Sequence, residues 1–265
     1  VGAGVTEFAV GDAVVSTFFP QWLSGRRVPS DFKLVPGDGV DGFACEAVTR
    51  PATAFTHAPR GWSHEEAATL TTAGLTAWRA LFVNGRLQPG DTVLVLGTGG
   101  VSIFALQMAK AAGARVIATT SSAAKAERLH ALGADVVINY RDTPEWGNAV
   151  LAATGGRGAD IVVEVGGPNT LPQSIRAGAV GGHIALIGVL TGFAGSVPTA
   201  EMMAKQQTLQ GLIVGSREQQ QDMVRALEQW GWQPVIDRHY PLEQLAQAFA
   251  HQQSGQHFGK IVVRY

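Results

Sequence analysis

A glycine-rich turn stands where an apolar run meets an amphipathic stretch. It reads Gly97-Thr-Gly-Gly-Val-Ser102, between Thr92–Leu96 and a predicted helix over Val101–Ala112. The first glycine permits a tight turn, and the next two let the backbone approach a pyrophosphate group closely. The helix start adds free N–H groups and a positive dipole end. The predicted phosphate contacts are Gly97, Thr98, Gly99, Gly100 and Val101. Ser102 replaces the third glycine of the usual dinucleotide-binding pattern, where a small side chain is tolerable.

The end of the next predicted strand carries hydroxyl groups and a cation, and no acid. Strand Arg115–Thr119 is followed by Thr120, Ser121 and, one turn into a helix, Lys125. An acid at this place holds the ribose 2′-hydroxyl of NAD. Hydroxyls with a cation suit a 2′-phosphate instead, so the pattern favours NADPH. The alternative is that Ser122 caps the helix and Lys125 is a solvated surface charge.

Strands and helices alternate around these two turns. Apolar strands separated by amphipathic helices predict an α/β fold with a parallel sheet covered on both faces, and six strands match the doubly wound Rossmann type. The predicted strands are Thr92–Leu96, Arg115–Thr119, Val136–Asn139, Asp160–Val165, His183–Ile187 and Thr208–Val214. The predicted helices are Val101–Ala112, Ala123–Leu132, Pro144–Thr154, Asn169–Ala177 and Thr199–Gln206.

The two ends of the chain predict a second, discontinuous domain. The first 70 or so residues lack helical periodicity and contain short apolar runs, Ala13–Val15 and Ala44–Val48, which are typical of strand-rich structure. The first run begins a predicted strand, Ala13–Phe18. A capping box at Ser63–Glu66 then begins a helical stretch that is interrupted near Thr72–Gly74. We predict a β-rich domain from 1–74 and 214–265, and a nucleotide-binding domain over 75–213. Helices Glu218–Trp230 and Leu242–Gln253 and strands Val235–His239 and Lys260–Tyr265 are predicted in the tail.

The sequence resembles the zinc-independent medium-chain dehydrogenases/reductases of the quinone oxidoreductase type, within the zinc-type alcohol dehydrogenase superfamily. Matching segments run from end to end in the family's order. Among them are Val10-Gly-Asp-Ala-Val14, Ala73-Gly-Leu-Thr-Ala-Trp78, Pro89–Val101, Gly158-Ala-Asp160 with Gly166-Gly167, and His257-Phe-Gly-Lys-Ile-Val262. The resemblance implies a GroES-like first domain. It also implies that roughly 60 to 75 residues precede Val1 in family members, which would leave this domain truncated at its N-terminus.

The resemblance implies further site residues. Thr76 is expected near the nicotinamide, as the one polar candidate for a catalytic contact. Tyr140 is expected near the adenosine 2′-phosphate. The turns after the fourth and fifth strands are expected to pass along the ribose and nicotinamide, and two residues near the C-terminus to approach the cofactor from the other domain. These are Gly166, Gly167, Gly188, Val189 and Leu190, and then Phe258 and Lys260.

The cysteine and histidine pattern predicts no metal site. A catalytic zinc needs three close ligands. Zinc-dependent relatives place a cysteine near Leu70–Gly74, where this chain has threonines that are poor ligands. Cys45, the single cysteine, is expected to be a buried small side chain rather than a nucleophile.

These residues predict hydride transfer from NADPH to a quinone or an α,β-unsaturated carbonyl. The apolar segment Phe18–Leu23 either lines a pocket for a flat substrate or simply packs in the core. Two alternatives stay open: a zinc-dependent alcohol dehydrogenase, and an NADPH-binding sensor or structural protein without turnover.

The composition argues against two classes of binding partner. A formal net charge of -1 gives no electrostatic case for nucleic acid or an anionic membrane. No apolar run approaches the roughly 20 residues that span a bilayer, and the start lacks a signal-peptide pattern. We expect a cytoplasmic homodimer that pairs through the edge strand Thr208–Val214.

Overall fold

The computed structural model describes residues 1–26 and 32–265. They form two compact units. The first unit comprises Val1–Leu75, Val214–Gln256 and Lys260–Tyr265, and the second comprises Thr76–Ile213 and His257–Gly259. All of 214–265 was predicted to belong to the first domain. The structure places His257–Gly259 in the second unit instead, where the Gly259 N–H donates to the Thr98 carbonyl oxygen (N···O 2.9 Å).

The first unit begins with short strands and an irregular connection. Strands β1 (Val14–Ser16) and β2 (Phe55–His57) pair antiparallel. The expectation of strand structure at Ala44–Val48 is wrong: this segment is exposed and has no regular secondary structure. Cys45 is accordingly exposed rather than buried, because a segment that joins no sheet has no partner to cover its side chains. Phe19 and Trp22 are buried and their rings lie 6.0 Å apart, as expected of core packing.

The helical stretch after Ser63 is interrupted, as predicted. Helix α1 (His64–Ala68) begins with the capping box, in which Glu66 N–H donates to Ser63 Oγ at 3.2 Å and Ser63 N–H donates to Glu66 Oε2 at 2.7 Å. A π-helical turn over Leu70–Gly74 leads into α2 (Leu75–Trp78). A second π-helical segment, Arg79–Asn84, follows it.

A six-stranded parallel sheet lies at the centre of the second unit, and it confirms the predicted Rossmann-type sheet. The strands are β3 (Thr92–Leu96), β4 (Arg115–Thr120), β5 (Val136–Asn139), β6 (Ala159–Glu164), β7 (Gly178–Leu186) and β8 (Thr208–Gly211). Their order across the sheet is β5-β4-β3-β6-β7-β8, with every neighbouring pair parallel. The chain leaves β3 towards β4 on one side, and β6 lies on the other. The crevice outside the carboxyl ends of the strands at such a switch point is where ligands bind in this class of sheet.

Helices connect the strands. They are α3 (Gly100–Ala111), α4 (Ala123–Ala131), α5 (Trp146–Ala153), α6 (Leu171–Ala177) and α7 (Thr199–Ala204). Leu94, Ile117, Val162 and Ile184, one from each of four central strands, are fully buried in a single apolar cluster. Burial of each such side chain contributes roughly 1.5–3 kcal/mol, so the sheet holds the turns at its edge in place.

The tail returns to the first unit. It contains α8 (Arg217–Trp230), β9 (Ile236–Pro241), a short 3₁₀ turn, α9 (Leu245–Gln253) and β10 (Lys260–Arg264), and β9 pairs parallel with β10. The capped helix α8 has 14 residues. Within residues 1–26 and 32–265, no helix is both long and apolar enough to cross a bilayer.

His183 is expected to make the stability of the second unit depend on pH. It lies on β7 between Ile161 of β6 and Thr208 of β8, 9% exposed, and burial lowers the pKa of its imidazole. In the unfolded chain the imidazole of His183 binds a proton at about pH 6.5, whereas burial disfavours its protonation in the folded chain. The contribution of neutral His183 to the free energy of unfolding is therefore fully present above that pH. It decreases as the pH falls from there through the lowered pKa.

Thermal denaturation between neutral and mildly acidic pH tests this expectation. The variant His183→Leu should flatten the loss of Tm in this range, whereas His239→Gln, which changes an exposed histidine on β9, should not. An unchanged pH profile in His183→Leu would show that other groups cause the loss.

Candidate functional site

The glycine turn after β3 is open on the side where a ligand would lie. Gly97 has φ +69°, which favours glycine, and its N–H donates to the Thr119 carbonyl oxygen (3.0 Å). Gly99 has φ -74° and ψ 172°. A Cβ added at Gly97 or at Gly99 would meet no other atom within 4 Å. The turn is thus a cradle with bare backbone, which fits a group that must approach the main chain closely.

Helix α3 begins at this cradle and is tied to the strand before it. Its N-cap, Gly99, offers no side-chain acceptor to the first-turn N–H groups, which suits an anion. Ser102, the departure from the glycine pattern, is 1% exposed and donates its hydroxyl hydrogen to the Leu96 carbonyl oxygen (2.6 Å). The serine therefore takes over the helix–strand packing of the third glycine by forming a buried hydrogen bond.

The hydroxyl groups at the end of β4 have different surroundings. Thr119 and Thr120 are both 2% exposed, and their hydroxyl oxygens accept from Gly97 N–H (3.3 Å) and Ser122 N–H (3.3 Å). Both residues thus shape the turns locally. Ser122 also caps α4, as the alternative interpretation expected, by accepting from the Lys125 N–H (3.4 Å). Ser121 is half-buried and lies between these residues.

A short segment near the C-terminus crosses this edge of the sheet. Lys125 Nζ donates to the His257 carbonyl oxygen (2.9 Å), and the Arg128 guanidinium carbon lies 4.0 Å from the centre of the Phe258 ring. Phe258 is 1% exposed. The resemblance implied that Phe258 approaches the cofactor from the first domain. Phe258 belongs instead to the second unit. Arg128 was not predicted as a site residue. Its position three residues after Lys125, on the same helix face, was the signal in the sequence.

Tyr140 lies beside the end of β4. Its backbone N–H donates to the Thr120 carbonyl oxygen (3.0 Å), and its side chain is 42% exposed. Asn139, the last residue of β5, is in register with Thr120. Tyr140 and the Thr120–Ser122 turn are therefore neighbours, as a shared role at one phosphate group requires.

The turns after β6 and β7 contact each other. Gly167 has φ +95°, and a Cβ at Gly188 would lie 1.8 Å from the Val165 carbonyl oxygen. The Thr191 N–H donates to the Gly166 carbonyl oxygen (2.9 Å). Val189 and Leu190, next to this contact, are 51% and 84% exposed. The close approach explains why glycine occupies both turns.

A buried acid that the sequence analysis missed supports the first of these turns. Glu164, the last residue of β6, is fully buried. It accepts hydrogen bonds from Gly166 N–H (2.7 Å), Gly167 N–H (2.9 Å) and the hydroxyls of Thr170 and Ser174. The signal in the sequence was an acid directly after the apolar run Ile161–Val163 and directly before Val-Gly-Gly.

Two predicted site residues lie apart from these turns in the chain. Thr76 is 3% exposed, in α2 at the start of the second unit. Lys260 begins β10 in the first unit, where burial lowers the pKa of its ammonium group. Their roles stay predictions.

The chemistry of these turns fits a dinucleotide. They lie at the carboxyl ends of β3, β4, β5, β6 and β7, and they offer a bare glycine cradle, an uncapped helix start and a hydroxyl-rich turn with a nearby cation. Across the part of the chain that the structure describes, no group of three His, Cys, Asp or Glu side chains is arranged to hold a metal ion.

Comparison with known proteins agrees with this architecture. A family model described as zinc-binding dehydrogenase matches residues 100–229. The chain is 42% identical to a zinc-type alcohol dehydrogenase-like protein of Schizosaccharomyces pombe, over 100% of this chain and 78% of that protein. It is 28% identical to the quinone oxidoreductase of Rattus norvegicus, over 94% of this chain and 70% of that protein.

Solved structures give the same result. A Sinorhizobium meliloti 1021 protein assigned as an alcohol dehydrogenase has a TM-score of 0.94 at 45% identity, covering 100% of this chain and 78% of its own. An NAD-dependent alcohol dehydrogenase has a TM-score of 0.88 at 35% identity, covering 100% and 79%. The 2-octenoyl-CoA carboxylase reductase CinF, solved with NADP and 2-octenoyl-CoA, has a TM-score of 0.73 at 28% identity, covering 79% and 52%. The chain therefore belongs to the zinc-type alcohol dehydrogenase-like family of the medium-chain dehydrogenase/reductase superfamily, and it is an oxidoreductase of that superfamily.

Proposed function

We propose that the chain binds NADPH and reduces a quinone or an α,β-unsaturated carbonyl compound without zinc. The observation that carries the proposal is the pair of neighbouring turns after β3 and β4. One is a bare glycine cradle, and the other has hydroxyl groups and a lysine where an NAD site has an acid. When bound, the nicotinamide supplies a hydride to the acceptor, and the protein supplies binding and orientation.

Different residues at the carboxyl ends of the strands contact different parts of the dinucleotide. Gly97–Val101 and the start of α3 hold the pyrophosphate. Ser121, Lys125 and Tyr140 surround the 2′-phosphate, and the buried Thr120 shapes the turn that carries Ser121. Phe258 packs against Arg128 beside this turn and keeps the segment near the C-terminus in place. The turns that contain Gly166, Gly167 and Gly188 pass along the ribose and nicotinamide. Thr76 contributes a polar contact near the reacting atoms.

The side chains beside the turns after β6 and β7 support the proposed class of acceptor. Val189 and Leu190 present exposed apolar groups directly after Gly188. An apolar lining suits a flat conjugated acceptor, which needs placement against the nicotinamide more than it needs ion pairing. Two relatives support this class, because one is a quinone oxidoreductase and the other binds an α,β-unsaturated thioester, 2-octenoyl-CoA.

Zinc independence rests on the segment near Leu70–Gly74. Thr71 donates its hydroxyl hydrogen to the Ser16 carbonyl oxygen (2.8 Å), and hydroxyl groups are poor zinc ligands compared with thiolates and imidazoles. A zinc-dependent alcohol dehydrogenase is the second candidate, because the matching family model is described as zinc-binding.

We also propose a cytoplasmic homodimer whose subunits pair through β8. This strand is the outermost strand on one side of the sheet, and pairing with a symmetry mate would cover two open edges. Nucleic acid and membranes are not among the proposed partners.

Steady-state turnover tests the proposed reaction. We expect NADPH oxidation with a small benzoquinone or a cyclic enone, with no loss of rate after treatment with a metal chelator. Oxidation of alcohols that depends on added zinc would instead identify the second candidate. Binding of NADPH without turnover of any acceptor would favour a sensor or structural role.

A further inference from the structure

The buried carboxylate of Glu164 accepts hydrogen bonds from several residues of one chain segment. Its four donors are two main-chain N–H groups, of Gly166 and Gly167, and two hydroxyls, of Thr170 and Ser174. All of them lie between the end of β6 and the middle of α6. An acid without such partners would be expensive to bury, whereas a fully hydrogen-bonded one makes its surroundings rigid.

The order that Glu164 imposes extends to the neighbouring turn. A Cβ at Gly167 would lie 3.0 Å from the Gly188 carbonyl oxygen and 3.1 Å from Val189 Cα. The Thr191 N–H and hydroxyl both donate to the Gly166 carbonyl oxygen, each at 2.9 Å. The turns after β6 and β7 are therefore packed as one body, and the Glu164 carboxylate lies beneath the first of them.

We propose that Glu164 is a positioning residue for the reaction. It fixes the Gly166–Gly167 and Gly188–Leu190 turns in the arrangement that places the ribose and nicotinamide, without touching the cofactor itself. The inference rests on the proposed function, because it assigns these two turns to the nicotinamide half of the dinucleotide.

The test compares Glu164→Ala, Glu164→Gln and a destabilising control, Val150→Ala, which shortens a fully buried side chain in α5. For each protein we would measure Tm, the Kd for NADPH and, with a working acceptor, kcat and KM. Hydrogen exchange of the peptide that contains Gly166 and Gly167 reports the order of the turn without cofactor.

Glu164→Ala should expose these amides to exchange and lower kcat/KM by about 10- to 100-fold, because misplacement of a bound reactant has effects of this size. Glu164→Gln should restore much of the loss, since its amide oxygen still accepts from main-chain N–H groups and its amide NH₂ group can donate to the Ser174 hydroxyl oxygen. Val150→Ala should lower Tm and leave kcat/KM and exchange of this peptide unchanged.

Two failures are distinguishable. Wild-type protein that binds neither NADPH nor NADH would overturn the proposed function, and the inference with it. Wild-type protein that binds NADPH, with a Glu164→Ala variant that differs from it no more than Val150→Ala does, would overturn the inference alone. If Glu164→Ala does not fold, Glu164→Asp serves in its place, because the shorter side chain withdraws the carboxylate from the same donors.

Discussion

A Gly99→Ala variant is expected to fold normally and to bind NADPH about 10- to 100-fold more weakly, a loss of roughly 1.4–2.7 kcal/mol. The backbone at Gly99, with φ -74°, accepts alanine without strain, and a Cβ there meets no protein atom within 4 Å. The added methyl group instead occupies the space that the pyrophosphate needs. Because Gly99 is the N-cap of α3, the stability cost should not exceed about 1 kcal/mol.

The matched control for this variant is Gly211→Ala. Gly211 ends β8, and a Cβ there also meets nothing within 4 Å, but the residue lies outside the proposed phosphate site. Isothermal titration with NADPH measures both affinities, and Tm measures both stabilities. Equal affinities for the two variants would show that the turn after β3 does not hold the phosphates.

A Ser121→Asp variant is expected to reverse the cofactor preference. A carboxylate beside a 2′-phosphate interacts unfavourably by about 2–3 kcal/mol at the effective dielectric constant near a protein surface. The affinity for NADPH should therefore fall by about 100-fold. NADH has a 2′-hydroxyl at this position, and this hydroxyl can donate a hydrogen bond to the new carboxylate. The affinity for NADH should therefore stay the same or increase.

Asn148→Asp is the control for this prediction. It adds the same charge at an exposed position on α5, next to Arg176 (Nη1···Oδ1 3.3 Å). Titration of both variants with both cofactors separates a local effect from a change in net charge. If Ser121→Asp and Asn148→Asp lose NADPH affinity equally, the 2′-phosphate does not lie at Ser121.

The central sheet was predictable because its strands are continuous apolar runs that a parallel sheet buries on both faces. All six strands exist, with β3 and β5 at the predicted bounds. Strand β7 begins at Gly178 rather than His183, because the glycines Gly178, Gly181 and Gly182 hide the strand pattern. Strand β8 ends at Gly211 rather than Val214, which has φ +47° and cannot continue a strand.

The glycine cradle was predictable because glycines at fixed spacing have a local meaning for the backbone. The hydrogen bonds that support the turns after β6 and β7 were not predictable, because they depend on tertiary contacts. Nothing around Glu164 in the sequence shows that Ser174, ten residues later, donates to it. Likewise, only the folded chain brings the His257 carbonyl oxygen to Lys125 and the Phe258 ring to Arg128. The exposure of Cys45 also depends on the path of its segment rather than on its residue type.

The most direct test of the account is titration of the protein with NADPH and, separately, NADH, followed through the fluorescence of its 6 tryptophans. We expect saturable quenching with a micromolar Kd for NADPH. NADH should bind at least about tenfold more weakly, because it lacks the 2′-phosphate and its charge-assisted contact. Equal binding of both cofactors would contradict the assignment of the 2′-phosphate to the Thr120–Lys125 turn. Binding of neither, in a sample shown to be folded, would contradict the proposed dinucleotide site itself.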